Sequence, residues 1–235
     1  MWSIQTVEST VPLTSKPASN PLKAGDQTRT ALLIAGIRLF GTKGFEATST
    51  REIAAAADTN IASIAYHFGG KEGLRLACAE MVGSRIQSVV GLALGAIDPK
   101  GDPVLAQAAF ERVLMGVADF MLGQVEARDI AGFMVRELGA PGAVLDRVYT
   151  EFILPVHRSL CALLGLATGQ DPESDLIRIG TFSIAGQVVY FRIGHAIVAR
   201  RMEWKSVGPD EVDAIKAVIL SNIRAFIATN RKLKP

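Results

Sequence analysis

Between Thr48 and Lys71 the chain reads TSTREIAAAADTNIASIAYHFGGK, and within it Asn60, Ile61, Ser63, Tyr66 and His67 form a short row of mixed chemistry. An amide, a hydroxyl, a phenol, an imidazole and a branched apolar surface supply donors, acceptors and methyl contacts. That mixture suits base edges, thymine methyls and phosphate oxygens. Presenting it requires a short rigid helix that can enter a major groove, with a second helix braced behind it. The spacing predicts both. Ser49-Thr50-Arg51-Glu52 has the S-x-x-E form of a capping box, in which serine and glutamate satisfy each other's helix-end amides. It opens a helix over Thr50–Ala57. Asp58-Thr59-Asn60 interrupts it, and Asn60 caps a second helix over Ile61–Phe68 that Gly69-Gly70 stops. The expected buried face is Ile53, Ala54 and Ala57 on the first helix, and Ile64 with Phe68 on the second. Ala54 and Ala57 against Ala62 and Ala65 would let the two helices cross closely. The segment reads as a helix-turn-helix. Each candidate also has a plainer role: Arg51 as a solvated cation, His67 as a helix-end packing group, Lys71 as a helix start. Asn60 as a cap cannot serve a base with the same oxygen.

Other chemistries fail on spacing. Gly69-Gly70-Lys71-Glu72 looks like a phosphate loop, but Ala65 stands where the first Gly of G-x-x-x-x-G-K-[ST] belongs and Glu72 replaces Ser/Thr. No E-x-x-H leads to His157 or His195, the histidines lack zinc spacing, and no G-x-S-x-G occurs. An enzyme, a metal site and a cofactor are not expected.

The supporting elements are helical throughout. With 49% hydrophobic and 20% charged residues in 235, the composition is globular rather than disordered. A net charge of +2 cannot by itself argue for nucleic acid. Mean hydropathy is +0.28, yet the longest stretch free of charge, Ile179–Phe191, has 13 residues. A bilayer needs about 18–20, so no membrane span is expected. Cys78 and Cys161 lie in apolar helical patterns without metal spacing, which points to a reducing cytoplasm. Met1–Leu22 lacks a basic start and an apolar core and is broken by Pro12, Pro17 and Pro21, so it is not a signal peptide. Residues 1–27 read as a disordered tail, 28–75 as the helix-turn-helix domain and 76–235 as a second, helical domain. Leu33, Ile37 and Phe40 mark a first helix over Thr28–Thr42, and Lys71 opens another through Ser88. A cap followed by proline recurs at Asp102-Pro103, Asp171-Pro172 and Gly208-Pro209, predicting helices over 103–122, 172–201 and 209–230. Between them lie 126–138 and 142–165, the latter kinked or split by Pro155. No window alternates like a strand. The fold class is all-α.

The ordered string Leu39-Phe40, Gly44-Phe45, Thr48, Arg51-Glu52-Ile53-Ala54, Ala57, His67-Phe68, Lys71-Glu72 and Leu74 resembles the tetracycline-repressor (TetR) family of bacterial regulators over about residues 28–75. The run NIASIAYHFGGKE, the phrase Phe133-x-x-Arg136-Glu137 and the helix carrying Pro155 are similar to its CerR/CecR-like subgroup. The resemblance implies that Thr48 and Thr50 hold a phosphate at the first short helix and that Arg51 touches backbone or groove edge. It also implies that Asn60, Ile61, Ala62 and Ser63 lead into the groove while Tyr66, His67 and Lys71 hold the flanking strand. Two positions depart from the family. Asp58 stands where Gly is usual, and Ala65 where Tyr is frequent, with Tyr66 beside it as the replacement contact. Residues 28–79 carry six Lys/Arg against four Asp/Glu, too little excess for one head to bind tightly. Two heads on a pseudo-palindrome, about 34–36 Å apart or a wider multiple, are therefore expected.

The remaining length must pair and sense. Ile184, Val188 and Phe191, with Ile215, Ile219, Ile223 and Phe226, form apolar stripes suited to a four-helix homodimer interface of the family's kind, or to the subunit's own core. The family implies an effector pocket among the central helices. Candidate polar lining is Arg136, Glu137, Tyr149, His157, Gln187 and Tyr190, and each of these also fits a satisfied core or solvated group. Met115, Phe120, Met121, Phe133 and Met134 read as core, or as the wall of a pocket for a largely apolar molecule. The expected function is a ligand-responsive regulator, a repressor released from a double-stranded operator by a small effector. The competing reading is a helical adaptor that does not bind DNA.

Overall fold

A computed structural model describes residues 21–95, 99–124, 126–139 and 141–232, and helices are the only regular elements among them. The first helix, α1 (Pro21–Lys43), buries Leu32, Leu33, Ile37 and Phe40. It begins at Pro21 rather than Thr28, so residues 21–27 of the expected tail are helical. Proline fits the first turn because the amide it lacks would have had no partner there. Residues 1–20 lie outside the described residues. α2 (Thr50–Ala56), α3 (Ala62–Phe68) and α4 (Lys71–Leu94) follow, and α4 runs past Ser88 and across the expected domain boundary at 75.

α5 (Pro103–Gly123) is the hub. Asp102 caps it by accepting from the Val104 amide at 2.7 Å. Its Ala106, Ala109, Phe110, Val113 and Leu114 are fully enclosed, because α4, α8, α9 and α11 all pack on it. α6 (Glu126–Leu138) lies along α1. α7 (Ala143–Val148), a π-turn (Tyr149–Ile153) and α8 (Leu154–Thr168) form one continuous run. The expected break at Pro155 is this π-turn, in which the Leu154 amide reaches back to the Tyr149 carbonyl. Pro155 has no amide for the Glu151 carbonyl, and Gln87 Nε2 of α4 donates to that oxygen instead at 2.8 Å. The run Ala143–Thr168 is long and apolar enough, by composition alone, to cross a bilayer. Here its Leu160, Cys161 and Leu164 are buried, with α8 packed on α5 and α9.

α9 (Asp175–Ile193) begins after Ser174, not at Pro172, because Asp171 ties the intervening residues into a turn by accepting from the Glu173 amide. It ends at Gly194, and α10 (His195–Met202) leaves at 76°. α11 (Pro209–Asn230) closes the chain, with Glu211 accepting from the Gly208 amide. The apolar stripes expected to pair with a second subunit turn inward. Ile184, Val188, Ile215, Ile219 and Ile223 are buried against the hub, and Phe226 lies over Gly180 of α9, where any Cβ would meet its ring. Phe191 is half-buried. Periodicity identifies a stripe, and the central apolar α5 claimed it. The opposite faces expose Ile179, Phe182, Tyr190 and Ile193 on α9 and Val218 on α11.

Candidate nucleic-acid interface and cavities

The capping box at α2 is complete: the Ser49 amide donates to Glu52 at 2.9 Å and the Glu52 amide donates to the Ser49 hydroxyl at 3.2 Å. Lys43, at the end of α1, adds an ion pair to the same carboxylate at 2.6 Å. The Lys43 ammonium and the Ser49 donors hold the Glu52 carboxyl far below its ordinary range, at about 2. At the turn, Asp58 takes φ +49°, a left-handed conformation that accounts for the usual glycine and that a short polar side chain tolerates. Asn60 then accepts from the Ala62 amide at 2.8 Å, so its oxygen is engaged as the cap.

This geometry sets α3 with Ile64 inward and a row of side chains outward. Ile53, Ala54 and Ile64 are buried as expected, while Ala57 and Phe68 are half-buried. Ala62 and Ala65 are exposed, so they do not form the helix crossing; they leave the open face low, allowing close approach. On that face Asn60 and Ile61 are exposed, and Tyr66 stands out at 84% exposure, edge-on to His67 at 4.9 Å. Ser63 is half-buried, its hydroxyl 3.3 Å from that of Thr59. Arg51 is exposed and Thr50 half-exposed at the start of α2. Lys71 opens α4 with its ammonium 4.1 Å from the centre of the Phe45 ring. Gly73 of α4 is forced, since a Cβ would strike the Phe68 carbonyl. Thr48 is not on this face. It is buried, and its hydroxyl donates to the Gly44 carbonyl at 2.7 Å, fastening the turn before α2.

The candidate pocket residues disperse. Arg136 donates to the Gly41 and Thr42 carbonyls, both at 2.8 Å, capping the end of α1. Glu137 is buried and accepts from Arg75 Nε and a terminal nitrogen at 3.1 and 2.8 Å, joining α6 to α4. Gln187 accepts from Asn222 of α11 at 2.8 Å, and Tyr190 is exposed. Of the six only His157 reaches an apolar cavity. Its ring stacks on Phe182 at 3.9 Å, and its Nε2 donates to the Arg178 carbonyl at 3.2 Å. Tyr149 meets it in a smaller, more polar cleft. Two apolar cavities lie in the body: one of about 240 Å³ around Phe152 and Phe182, another of about 190 Å³ around Phe120 and Met121. Met134 lines both. Phe133 and Met115 line neither; Phe133 is fully buried and Met115 packs at the core's edge. The sequence missed the walls from α4, Ile86 and Val89. Their apolar spacing is that of any core helix, so it carries no signal of a cavity. Among the described residues no cluster of His, Cys, Asp or Glu could hold a metal ion.

Comparison with known proteins agrees with this organisation. Residues 32–78 match the model of bacterial regulatory proteins of the tetR family, and residues 106–229 match the C-terminal domain of the HTH-type transcriptional dual regulator CecR. CecR of Shigella flexneri is 30% identical over 207 residues, covering 85% of this chain and 91% of that protein. The chain belongs to the TetR family of transcriptional regulators, with a C-terminal domain of the CecR type. It is a DNA-binding transcriptional regulator and not an enzyme. Solved structures share the fold. AibR in complex with isovaleryl coenzyme A and operator DNA superposes with TM-score 0.63 at 18% identity, covering 83% of this chain and 97% of AibR. A TetR-like regulator from Rhodococcus sp. RHA1 gives 0.61 at 22%, covering 86% and 96%.

Proposed function

We propose that the chain is a homodimeric repressor of the bacterial cytoplasm. It reads a pseudo-palindromic operator with α3 and is released by an effector held among α4, α5, α6, α8 and α9. The observation that carries the reading is the outward row on α3, with Tyr66 almost fully exposed beside small, low-lying alanines. Exposed on a helix braced from behind, that ring is free to meet a partner. In this reading Thr50, Arg51, Tyr66, His67 and Lys71 hold phosphates, and Ile61, Ala62 and Ser63 face base edges, with Asn60 primarily the cap that aims them. The head is residues 28–75 and the body residues 76–235, with α1 and α4 shared between them.

A second copy of the chain covers the outward faces of α9 and α11. Ile179, Phe182, Tyr190 and Ile193 on one helix and Val218 among Ala214, Ser221 and Ala225 on the other offer apolar contact and close approach. AibR, which shares the fold, was solved with isovaleryl coenzyme A and operator DNA, and this supports a body that holds a small molecule beside a head that holds DNA. Here α6 is the physical link. It lines the cavities through Met134, caps α1 through Arg136 and grips α4 through Glu137. Its Gly132 also meets Gly41 of α1 so closely that a Cβ on Gly41 would strike the α6 backbone. An effector can shift the spacing of the heads only by its differential affinity for the two arrangements. Selection of bound fragments from the genome tests the reading. A recovered pseudo-palindrome supports it, and retention that is salt-sensitive but blind to sequence points to the adaptor instead.

A further inference from the structure

Three hollows lie in a row beside α6, and their walls change character from one end to the other. At one end is the apolar cavity of about 240 Å³, walled in part by the exposed Phe182. It shares Ile86, Val117, Met134 and Val189 with the second, of about 190 Å³, whose walls carry only apolar side chains. The second shares Ala131, Val135 and Ile193 with a surface cleft of about 460 Å³, where Arg128, Arg136, Arg192 and His195 gather. The cations there are not equivalent. Arg136 is engaged with the end of α1. Arg128 and Arg192 make no hydrogen bond or ion pair with another described residue. Burial and the neighbouring Arg128 hold the Arg192 guanidinium below its ordinary value, and Asp129 offsets this only in part. Two like charges lie side by side, Arg128 exposed and Arg192 half-buried, and Asp129 balances them only in part. Forked guanidinium donors match the oxygens of a carboxylate or a phosphate.

We infer that this row takes an anionic amphiphile, its carboxylate or phosphate head between Arg128 and Arg192 and its apolar chain running past Met134 to the cavity at Phe182. The inference rests on the effector reading above and names the chemistry of that effector. A neutral apolar molecule would leave the two cations unmatched, and a small anion would leave both apolar cavities unfilled.

Calorimetric titration of the full chain with decanoate, decyl phosphate and decanol tests this, with octanoate and dodecanoate as a length series. At least one anion binds about tenfold or more tightly than decanol, the size expected of a charge-assisted contact. Affinity climbs by up to about fourfold per added methylene until the cavities are full. Whichever of decanoate and decyl phosphate is preferred identifies the head group. Replacing both Arg128→Gln and Arg192→Gln erases the anion's margin over decanol, whose own binding reports that the cavities are intact. Ala185→Phe, at the cavity farther from the arginines, shortens the preferred chain and keeps the margin. Equal binding of decanol and the anions overturns the inference, as does acetate or inorganic phosphate binding as tightly as the long-chain anions. The effector reading fails separately, if an anion binds tightly yet leaves the operator complex intact.

Discussion

Glu52 shows how one side chain serves both shape and charge. Its carboxylate completes the box that starts α2 and also receives Lys43 from α1, so its folded value of about 2 lies below the ordinary 4.5. A depressed carboxyl contributes stability that is fully present above about 4.5 and is lost as pH falls through about 2. Thermal unfolding of the wild type and of Glu52→Gln, whose amide oxygen can still cap, should therefore differ most above that window and converge toward its lower end. Arg51 belongs to the same helix but faces solvent, and its cation is free for phosphate. Arg51→Ala should weaken operator and random DNA alike and lower the salt slope by about one unit in a binding titration. Ser63 differs in kind: its substitution should change base preference, and equal loss on all sequences would remove it from the readout. A cap and a helix period pointed to Asn60, Ser63 and Tyr66 as candidates; Tyr66 stands outward, while the Asn60 oxygen caps α3 and the Ser63 hydroxyl turns toward Thr59. The sequence misplaced Thr48, whose hydroxyl is captured by the Gly44 carbonyl through a turn that no periodicity describes.

Among the elements, α4 is the most constrained. It leaves the head, borders both apolar cavities and supports the π-turn through Gln87. At Gly83 the ring of Phe152 lies where a Cβ would stand, and the ring is buried, so it cannot swing away cheaply. Gly83→Ala should cost about 1–3 kcal/mol by overpacking, read as a lowered melting temperature of the isolated protein. A neutral result would show that the π-turn can shift. The proline at 155 announced an irregularity in the chain, but not its form. Whether Pro155 gives a kink, a split or a widened turn depends on whether some other helix supplies a donor for the stranded Glu151 carbonyl. The same limit applies at Asp171-Pro172, where a cap-like pair became a turn because Asp171 engaged the chain two residues on.

At the scale of the molecule, pairing and coupling depend on which face of each long helix remains outside. The inward stripe of α9 and α11 is occupied by the subunit's own core, so substitutions there test folding rather than association. Ile179→Glu with Val218→Glu, both on exposed faces and away from the cavity walls, should leave helix content intact in circular dichroism. In light scattering it should halve a particle that otherwise has twice the 25.0 kDa chain mass. A wild type that scatters as a single chain at working concentration would remove the homodimer and the two-headed operator with it. Local signals sufficed for the all-α class, for the ends of most helices and for the two short helices of the head, because caps, glycine stops and apolar spacing act within a few residues. Tertiary structure decided which apolar stripe the hub would bury, where Arg136 and Glu137 would spend their hydrogen bonds, and that an apolar cavity opens beside a cleft holding Arg128 and Arg192. Those outcomes hang on contacts between residues distant in the chain, where burial against a particular neighbour, and not the periodicity of either helix, selects the face.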